Sequence, residues 1–195
     1  MNGPAYLREN LHGAWQVMFG RPGGLARLDV SLEGFWRSFA AIVLVAPFAF
    51  IALISGGPLL SGTGTPHALD GSALTLNAIA LLVDWFSFPL VFAFLARPFG
   101  LSARYVPFIV ARNWASVIIG AMVGILHALH ILGVVPSLVM PFALIAATAI
   151  ALRFSYVIVR TTLVVSVAMA LPIVILDLVL SLVVWSVFDR LTSAA

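Results

Sequence analysis

The sequence predicts an all-α fold: a polytopic helical membrane protein with about five transmembrane helices and an N-terminal amphipathic helix. Hydrophobic residues make up 63% of the 195 positions and charged residues only 9%, and the mean hydropathy is +1.15. A soluble domain contains roughly 45–50% apolar and about 25% charged residues. Five segments also reach the roughly 20 apolar residues that cross a bilayer as a helix. Lipid is therefore the expected solvent of most of the chain.

Residues 1–35 form a predicted cytoplasmic interfacial region, ahead of a transmembrane domain over residues 36–190. Between Ala5 and Phe19, apolar side chains recur at helical spacing opposite charged ones, which predicts an amphipathic helix in the headgroup region. A Gly- and Pro-containing turn ends it. Ser31 is well placed to cap the helix that enters the bilayer. The segment lacks the basic, apolar and small-residue order of a cleavable signal peptide, so none is expected.

Five predicted spans follow the interfacial region. Their boundaries are 38–58, 74–96, 113–135, 138–159 and 163–188. The first connection, from Gly56 to Gly71, is rich in Gly, Ser, Thr and Pro and indicates an exposed loop. The second connection covers Arg97 to Ala111, the third is a tight turn from Gly133 to Ser137, and the fourth covers Arg153 to Thr162.

The basic residues predict the orientation in the membrane. All ten are arginine, and they fall before span one, between spans two and three, and between spans four and five: Arg8, Arg21, Arg27, Arg37, Arg97, Arg104, Arg112, Arg153 and Arg160, with Arg190 alone on the other side. Short arginine-rich loops stay cytoplasmic. This predicts a cytoplasmic N-terminus and a periplasmic C-terminus, and the all-arginine, Ala-rich usage suits a bacterial inner membrane. The arginines form no concentrated stripe, so no nucleic-acid partner is expected.

Small residues recur at every fourth position of span three and again in span four: Ser116, Gly120, Gly124 and Ala128, then Ala143, Ala147 and Ala151. On a helix each set lines one face and lets another backbone approach closely. We expect span four to fill the span-three groove through the short connecting turn. A second copy or another membrane subunit is the alternative occupant.

Ionisable side chains inside a bilayer are costly and often functional. Asp84 in span two and Asp177 in span five both lie roughly 15 Å from the outer face, at 1.5 Å per residue. If the spans were neighbours, the two carboxylates could share a proton or hold a cation. The interpretation preferred from the sequence is that they are separate buried groups. Arg112 is expected at the inner interface with Asn113 as its local partner, because long side chains reach water there.

His127 and His130 share a helix face near the predicted outer surface, with His67 and Asp70 in the preceding loop. Imidazoles can ligate zinc or haem iron, but this pair supplies only two ligands of a usual four. Interfacial placement or hydrogen bonding across helices is expected instead, and no cofactor or metal is predicted. The chain has no cysteine and carries no recognisable catalytic motif, so no enzymatic activity is expected.

The linker Phe99-Gly-Leu-Ser-Ala-Arg-Tyr-Val-Pro107 and the entry into span five, Arg160-Thr-Thr-Leu-Val-Val-Ser-Val-Ala168, together with this five-span layout, resemble the bacterial branch of the Yip family. The acidic-Leu-Tyr-Gly-Pro signature of eukaryotic members is absent. The resemblance implies a membrane scaffold or accessory subunit without catalysis, which here would pack through the small-residue face of span three. The alternative hypothesis is a small proton- or cation-coupled carrier that uses Asp84 and Asp177.

Overall fold

Five helices of the computed structural model are long and apolar enough to cross a membrane, which confirms the predicted fold class and makes the chain an integral membrane protein. The structure describes residues 3–21, 23–55 and 71–194, and over these ranges its regular elements are helical. The α-helices are α1 (Gly3–Met18), α2 (Gly24–Arg27), α3 (Leu32–Phe39), α4 (Ile42–Ile54), α5 (Gly71–Ala96), α6 (Tyr105–Ile131), α7 (Met140–Leu163) and α8 (Val167–Ala194), with a 3₁₀ turn at Ser102–Arg104.

The first span is built from two helices, α3 and α4, which meet at a turn through Ala40 and Ala41. Ser31 caps α3 as the sequence predicted, because its hydroxyl oxygen accepts a hydrogen bond from the Gly34 backbone N–H at 3.0 Å. The predicted loop at 56–70 lies outside the described residues. The path from α4 into α5 is therefore not part of this description.

Helix α6 is the centre of the bundle. It contacts α4 most extensively and also packs against α1, α3 and α7, while α8 packs against α5 and α7. The first half of α6 is almost fully enclosed: Phe108, Ile109, Val110, Ala111, Asn113 and Ala115 are each 2% exposed or less. Helix α5, by contrast, contacts α6 only sparsely.

Helix α1 packs against protein on its apolar side. Ala14 and Met18 are completely buried, and the helix contacts α6 and α7. The Phe19 ring, just after the helix, meets Phe154 of α7 edge-on with 5.1 Å between centroids. The predicted anchoring of this helix in the headgroup region stays a prediction, because part of its apolar side packs on the bundle while Trp15 is 43% exposed.

The connection between α7 and α8 is shorter than predicted. Helix α7 continues through Arg153 and Arg160 to Leu163, and Val164 ends it in a left-handed conformation with φ 54°. The Arg104 guanidinium donates a hydrogen bond to the Thr162 carbonyl at 3.4 Å, which joins the α5–α6 and α7–α8 connections at one end of the bundle. We call this end the arginine-rich end. The α6–α7 turn and the start of α5 lie at the opposite end.

Candidate functional site

The small-residue face of α6 is filled by α4, not by α7. A Cβ added at Gly124 would lie 2.6 Å from Phe48 Cβ, and one added at Gly120 would lie 3.4 Å from Val45 Cγ1. The expectation that span four fills this groove is therefore wrong at its two glycines. Helix α4 runs in the same direction as α6, so the close approach joins two parallel helices.

The other small residues have different surroundings. Ser116 lines a cavity, and its hydroxyl donates a hydrogen bond to the Arg112 carbonyl at 2.9 Å. Ala128 is half-buried in the last turns of α6. In α7, Ala147 is 6% exposed and Ala143 is half-buried. Helices α6 and α7 do pack together, but the nearest atoms at the α6 glycines belong to α4.

Arg112 forms a two-point ion pair with Asp177. The Arg112 Nη2 atom lies 2.7 Å from Asp177 Oδ1, and Nε lies 3.2 Å from Oδ2. Paired N–H donors of a guanidinium match the two oxygens of a carboxylate, so this geometry is strong and directional. The guanidinium also lies 4.9 Å from the centre of the Phe88 ring. Arg112 is thus held inside the bundle instead of reaching water at the interface.

Asn113 is not the partner of Arg112. Its side-chain N–H donates to the Ser38 hydroxyl at 3.0 Å, and Ser38 donates to the Phe35 carbonyl at 2.7 Å. Both Asn113 and Ser38 are completely buried. This chain of hydrogen bonds fastens α3 to α6, so the role of Asn113 is structural.

Asp84 and Asp177 line the same cavity, and Asp177 has its own partner in Arg112. Helix α5, which carries Asp84, packs along α8, which carries Asp177. Asp84 shares the cavity lining with Ser181 of α8 and with Arg112 and Asp177. The matched depths noted in the sequence therefore correspond to a shared cavity.

The cavity has a volume of about 230 Å³ and is partly open. It is lined by three ionisable residues, four hydroxyl residues and an apolar remainder: Asp84, Arg112, Asp177, Ser116, Thr148, Ser155, Ser181, Val45, Leu81, Trp85, Ile119, Gly120, Val123, Leu144, Ala151, Leu152, Val174 and Leu178. From the arginine-rich end, at 1.5 Å per residue, Arg112, Asp177 and Asp84 lie about 10, 15 and 18 Å along their helices. The ionisable groups are therefore deep within the bundle.

Aromatic rings close the side of the ion pair that faces the arginine-rich end. Phe88, Phe92 and Phe108 are each 2% exposed or less, and their ring centres lie 5.0 to 5.8 Å apart. A small space of about 40 Å³ lies between Phe88, Phe108 and the Arg112–Asp177 pair. That volume is enough for about one water molecule, at roughly 30 Å³ each. The cavity of about 230 Å³ extends toward the opposite end, where it reaches Leu144.

The histidines do not assemble a metal centre within the described part of the chain. His127 is 2% exposed, and neither ring nitrogen has a hydrogen-bond partner among the described residues. The Nδ1 atom of His130 lies 2.7 Å from the Val135 carbonyl oxygen. No group of three or more His, Cys, Asp or Glu residues converges in the described ranges. His67 and Asp70 lie outside those ranges.

No family model matches the sequence, and its comparison with curated proteins and with solved structures likewise gives no match. The resemblance to the Yip family stays a prediction. The site therefore has to be interpreted from its own geometry.

Sequence analysis missed most of the polar lining of the cavity. Ser181 follows Asp177 by four residues and so shares its helix face, which is a signal that could have been used. Thr148 and Ser155 carry no comparable signal, because isolated hydroxyl residues are ordinary in membrane helices and often bond to their own backbone. Their relevance appears only when α7 is placed beside α6 and α8.

Proposed function

We propose that this protein is a small, non-enzymatic membrane carrier coupled to protons or cations, with Asp84 as the coupling group. The observation that carries the proposal is the unequal pairing of the two carboxylates in one cavity. Asp177 is neutralised by the two-point contact with Arg112. Among the described residues that line the cavity, Asp84 has no basic partner of its own.

The charge balance of the cavity favours uptake of one positive charge. With all three groups ionised, two carboxylates and one guanidinium leave a formal charge of minus one. An uncompensated charge at the centre of a membrane helix costs at least about 2.5–3.5 kcal/mol. Binding a proton at Asp84 or a cation beside it removes that cost. A carboxylate that alternates between these states is suited to coupling transport to an ion gradient.

The shape of the cavity supports the same function. The polar groups lie deep in the bundle, phenylalanine rings pack on the side toward the arginine-rich end, and the cavity extends toward the opposite end. A binding site near the bilayer middle that is closed on one side is typical of carriers that open alternately to each face. Under this proposal, Phe88 and the Arg112–Asp177 pair belong to the closed side.

Proton flux into liposomes tests the proposal. We expect purified wild-type protein to acidify the lumen under an inside-negative membrane potential, as reported by a trapped pH-sensitive dye. Asp84→Asn should abolish that flux, whereas Asp189→Asn, which changes an exposed carboxylate near the end of α8 and away from the cavity, should leave it intact. Matched thermal unfolding of the variants separates loss of transport from loss of fold. Wild-type flux in Asp84→Asn would contradict the proposal.

The orientation and membrane also belong to the proposal. The arginine-rich end is placed in the cytoplasm of a bacterial inner membrane, so the larger cavity extends toward the periplasm. Reporters fused to the C-terminus that are active only in the periplasm or only in the cytoplasm test this placement. The lipid bilayer is the partner that the carrier requires. Scaffolding through the α6 face, the first function predicted, would need a surface other than the glycines covered by α4.

A further inference from the structure

We infer that the ligand of this cavity is a small organic monocation with a primary ammonium group and a short hydrocarbon part, of about five to eight non-hydrogen atoms. This inference rests on the proposed carrier function and names its substrate class. It starts from the formal charge of minus one, which selects a single positive charge over an anion, a neutral solute or a divalent cation.

The wall chemistry argues against a bare metal ion as the transported species. Hard metal cations bind in shells of oxygen ligands, about six to eight for calcium. Eleven of the residues that line the cavity are apolar or glycine, and only seven carry an ionisable group or a hydroxyl. An inorganic ion would have to keep much of its water against hydrocarbon walls. A ligand with one charged end and one apolar end leaves fewer polar groups without partners.

The cavity size sets the length of the hydrocarbon part. A water-sized group occupies roughly 30 Å³, so the volume of about 230 Å³ accommodates about seven or eight non-hydrogen atoms. The apolar walls reach toward the opposite end, where Leu144 lies about 6 Å and Val123 about 12 Å from the ends of their helices. The ligand would therefore place its ammonium group at Asp84 and its hydrocarbon part toward Leu144.

The hydrogen-bonding groups around Asp84 favour a primary ammonium over a quaternary one. A primary ammonium donates several hydrogen bonds, and both the Asp84 carboxylate and the neighbouring Ser181 hydroxyl can accept them. Trp85 also lines the cavity. The face of its indole ring attracts cations. Trp85 is 5% exposed, and its indole N–H has no partner among the described residues, which leaves a donor for a bound water.

Calorimetric titration of the purified protein in detergent tests the ligand class with three probes of equal non-hydrogen atom count: n-butylammonium, tetramethylammonium and n-butanol, each corrected for binding to empty micelles. We expect saturable binding of n-butylammonium and at least about tenfold weaker binding of the other two, because each lacks either the N–H donors or the charge. Asp84→Asn should weaken n-butylammonium binding about ten- to hundredfold. Asp189→Asn should bind as the wild type does.

Two further variants keep the test informative if Asp84→Asn fails to fold. Ser181→Ala removes one acceptor and should weaken binding of n-butylammonium several-fold, while Leu144→Trp fills the apolar part of the cavity and should weaken binding without touching the charged groups. Equal affinity for n-butylammonium and n-butanol, unchanged affinity in all three cavity variants, or no saturable binding to the wild type would overturn the inference. If Asp84-dependent proton flux persists in those cases, the carrier function stands and only the ligand class fails.

Discussion

The Arg112–Asp177 ion pair gives the sharpest prediction about stability. The two side chains are 17% and 26% exposed, so both are largely withdrawn from solvent but still border a cavity. Removing one partner of a buried pair costs about 3–5 kcal/mol, because the other charge is left uncompensated. Because water in the cavity can solvate the remaining charge, we expect the loss of stability to lie near the lower value. For a chain of this length, about 3 kcal/mol lowers the unfolding temperature by roughly 6–12 °C.

The position of Asp84 makes the two single variants unequal. Arg112→Gln leaves Asp84 and Asp177 together without a cation, whereas Asp177→Asn leaves Arg112 within the electrostatic reach of Asp84. We expect Arg112→Gln to be the more destabilising of the two. The double variant should lose less unfolding free energy than the two single variants together, since neither member of the ion pair is then left charged without its partner.

Unfolding of the wild type, both single variants and the double variant in the same detergent, followed by far-ultraviolet circular dichroism, measures this cycle. Additive costs, or single variants within about 0.5 kcal/mol of the wild type, would refute the reasoning. Equal costs for Arg112→Gln and Asp177→Asn would contradict the proposed closeness of Asp84 to the pair.

Three further predictions concern packing and the N-terminal region. Gly124→Ala should destabilise the protein by about 1–3 kcal/mol and Gly120→Ala hardly at all, because only the first added Cβ overlaps α4; similar unfolding temperatures would contradict this packing. Asn113→Ala should cost about 1–3 kcal/mol in the same measurement, since it removes a completely buried hydrogen bond to α3. The hydrogen bond from the Ser31 hydroxyl lowers the pKa of the Asp29 carboxyl. The ionised Asp29 carboxylate therefore stabilises the fold fully above the unfolded pKa of about 4, and this stabilisation is lost as the pH falls through the lowered folded pKa. Asp29→Asn should thus make the loss of stability in acid less steep. An unchanged loss of stability in acid would show that Asp29 does not contribute.

The membrane-spanning helices could be predicted from the sequence because each is marked by residues within the helix itself. Apolar length alone marks a membrane helix, and the cap at Ser31 follows from one side chain and its neighbour three residues on. The depth of Arg112 was misjudged for an equally local reason. Span three was started at Asn113, but α6 begins at Tyr105, two turns earlier, so Arg112 lies about 10 Å inside the helix and not at its edge.

Helix neighbours could not be predicted from the sequence because periodicity defines a face without naming what covers it. The glycines of α6 led us to expect contact with α7, the next helix in the chain. Instead, Phe48 of the parallel helix α4 packs against Gly124. Asp84 and Asp177 could be matched in depth by counting residues. The two residues line one cavity because α5 lies along α8. That helix pairing is set by packing over the whole bundle, and neither helix alone carries a signature of it.

The central claim is that ions reach the ionisable groups through the cavity, and single-cysteine labelling tests it most directly. The natural chain has no cysteine, so Ser181→Cys in the cavity and Leu182→Cys, which replaces a leucine 43% exposed on the apolar surface of α8, can be compared in an otherwise unreactive protein. In liposomes we predict that a small cationic thiol reagent modifies Ser181→Cys faster than an anionic reagent does and leaves Leu182→Cys unmodified. Ser181→Cys as inert as Leu182→Cys would contradict the account.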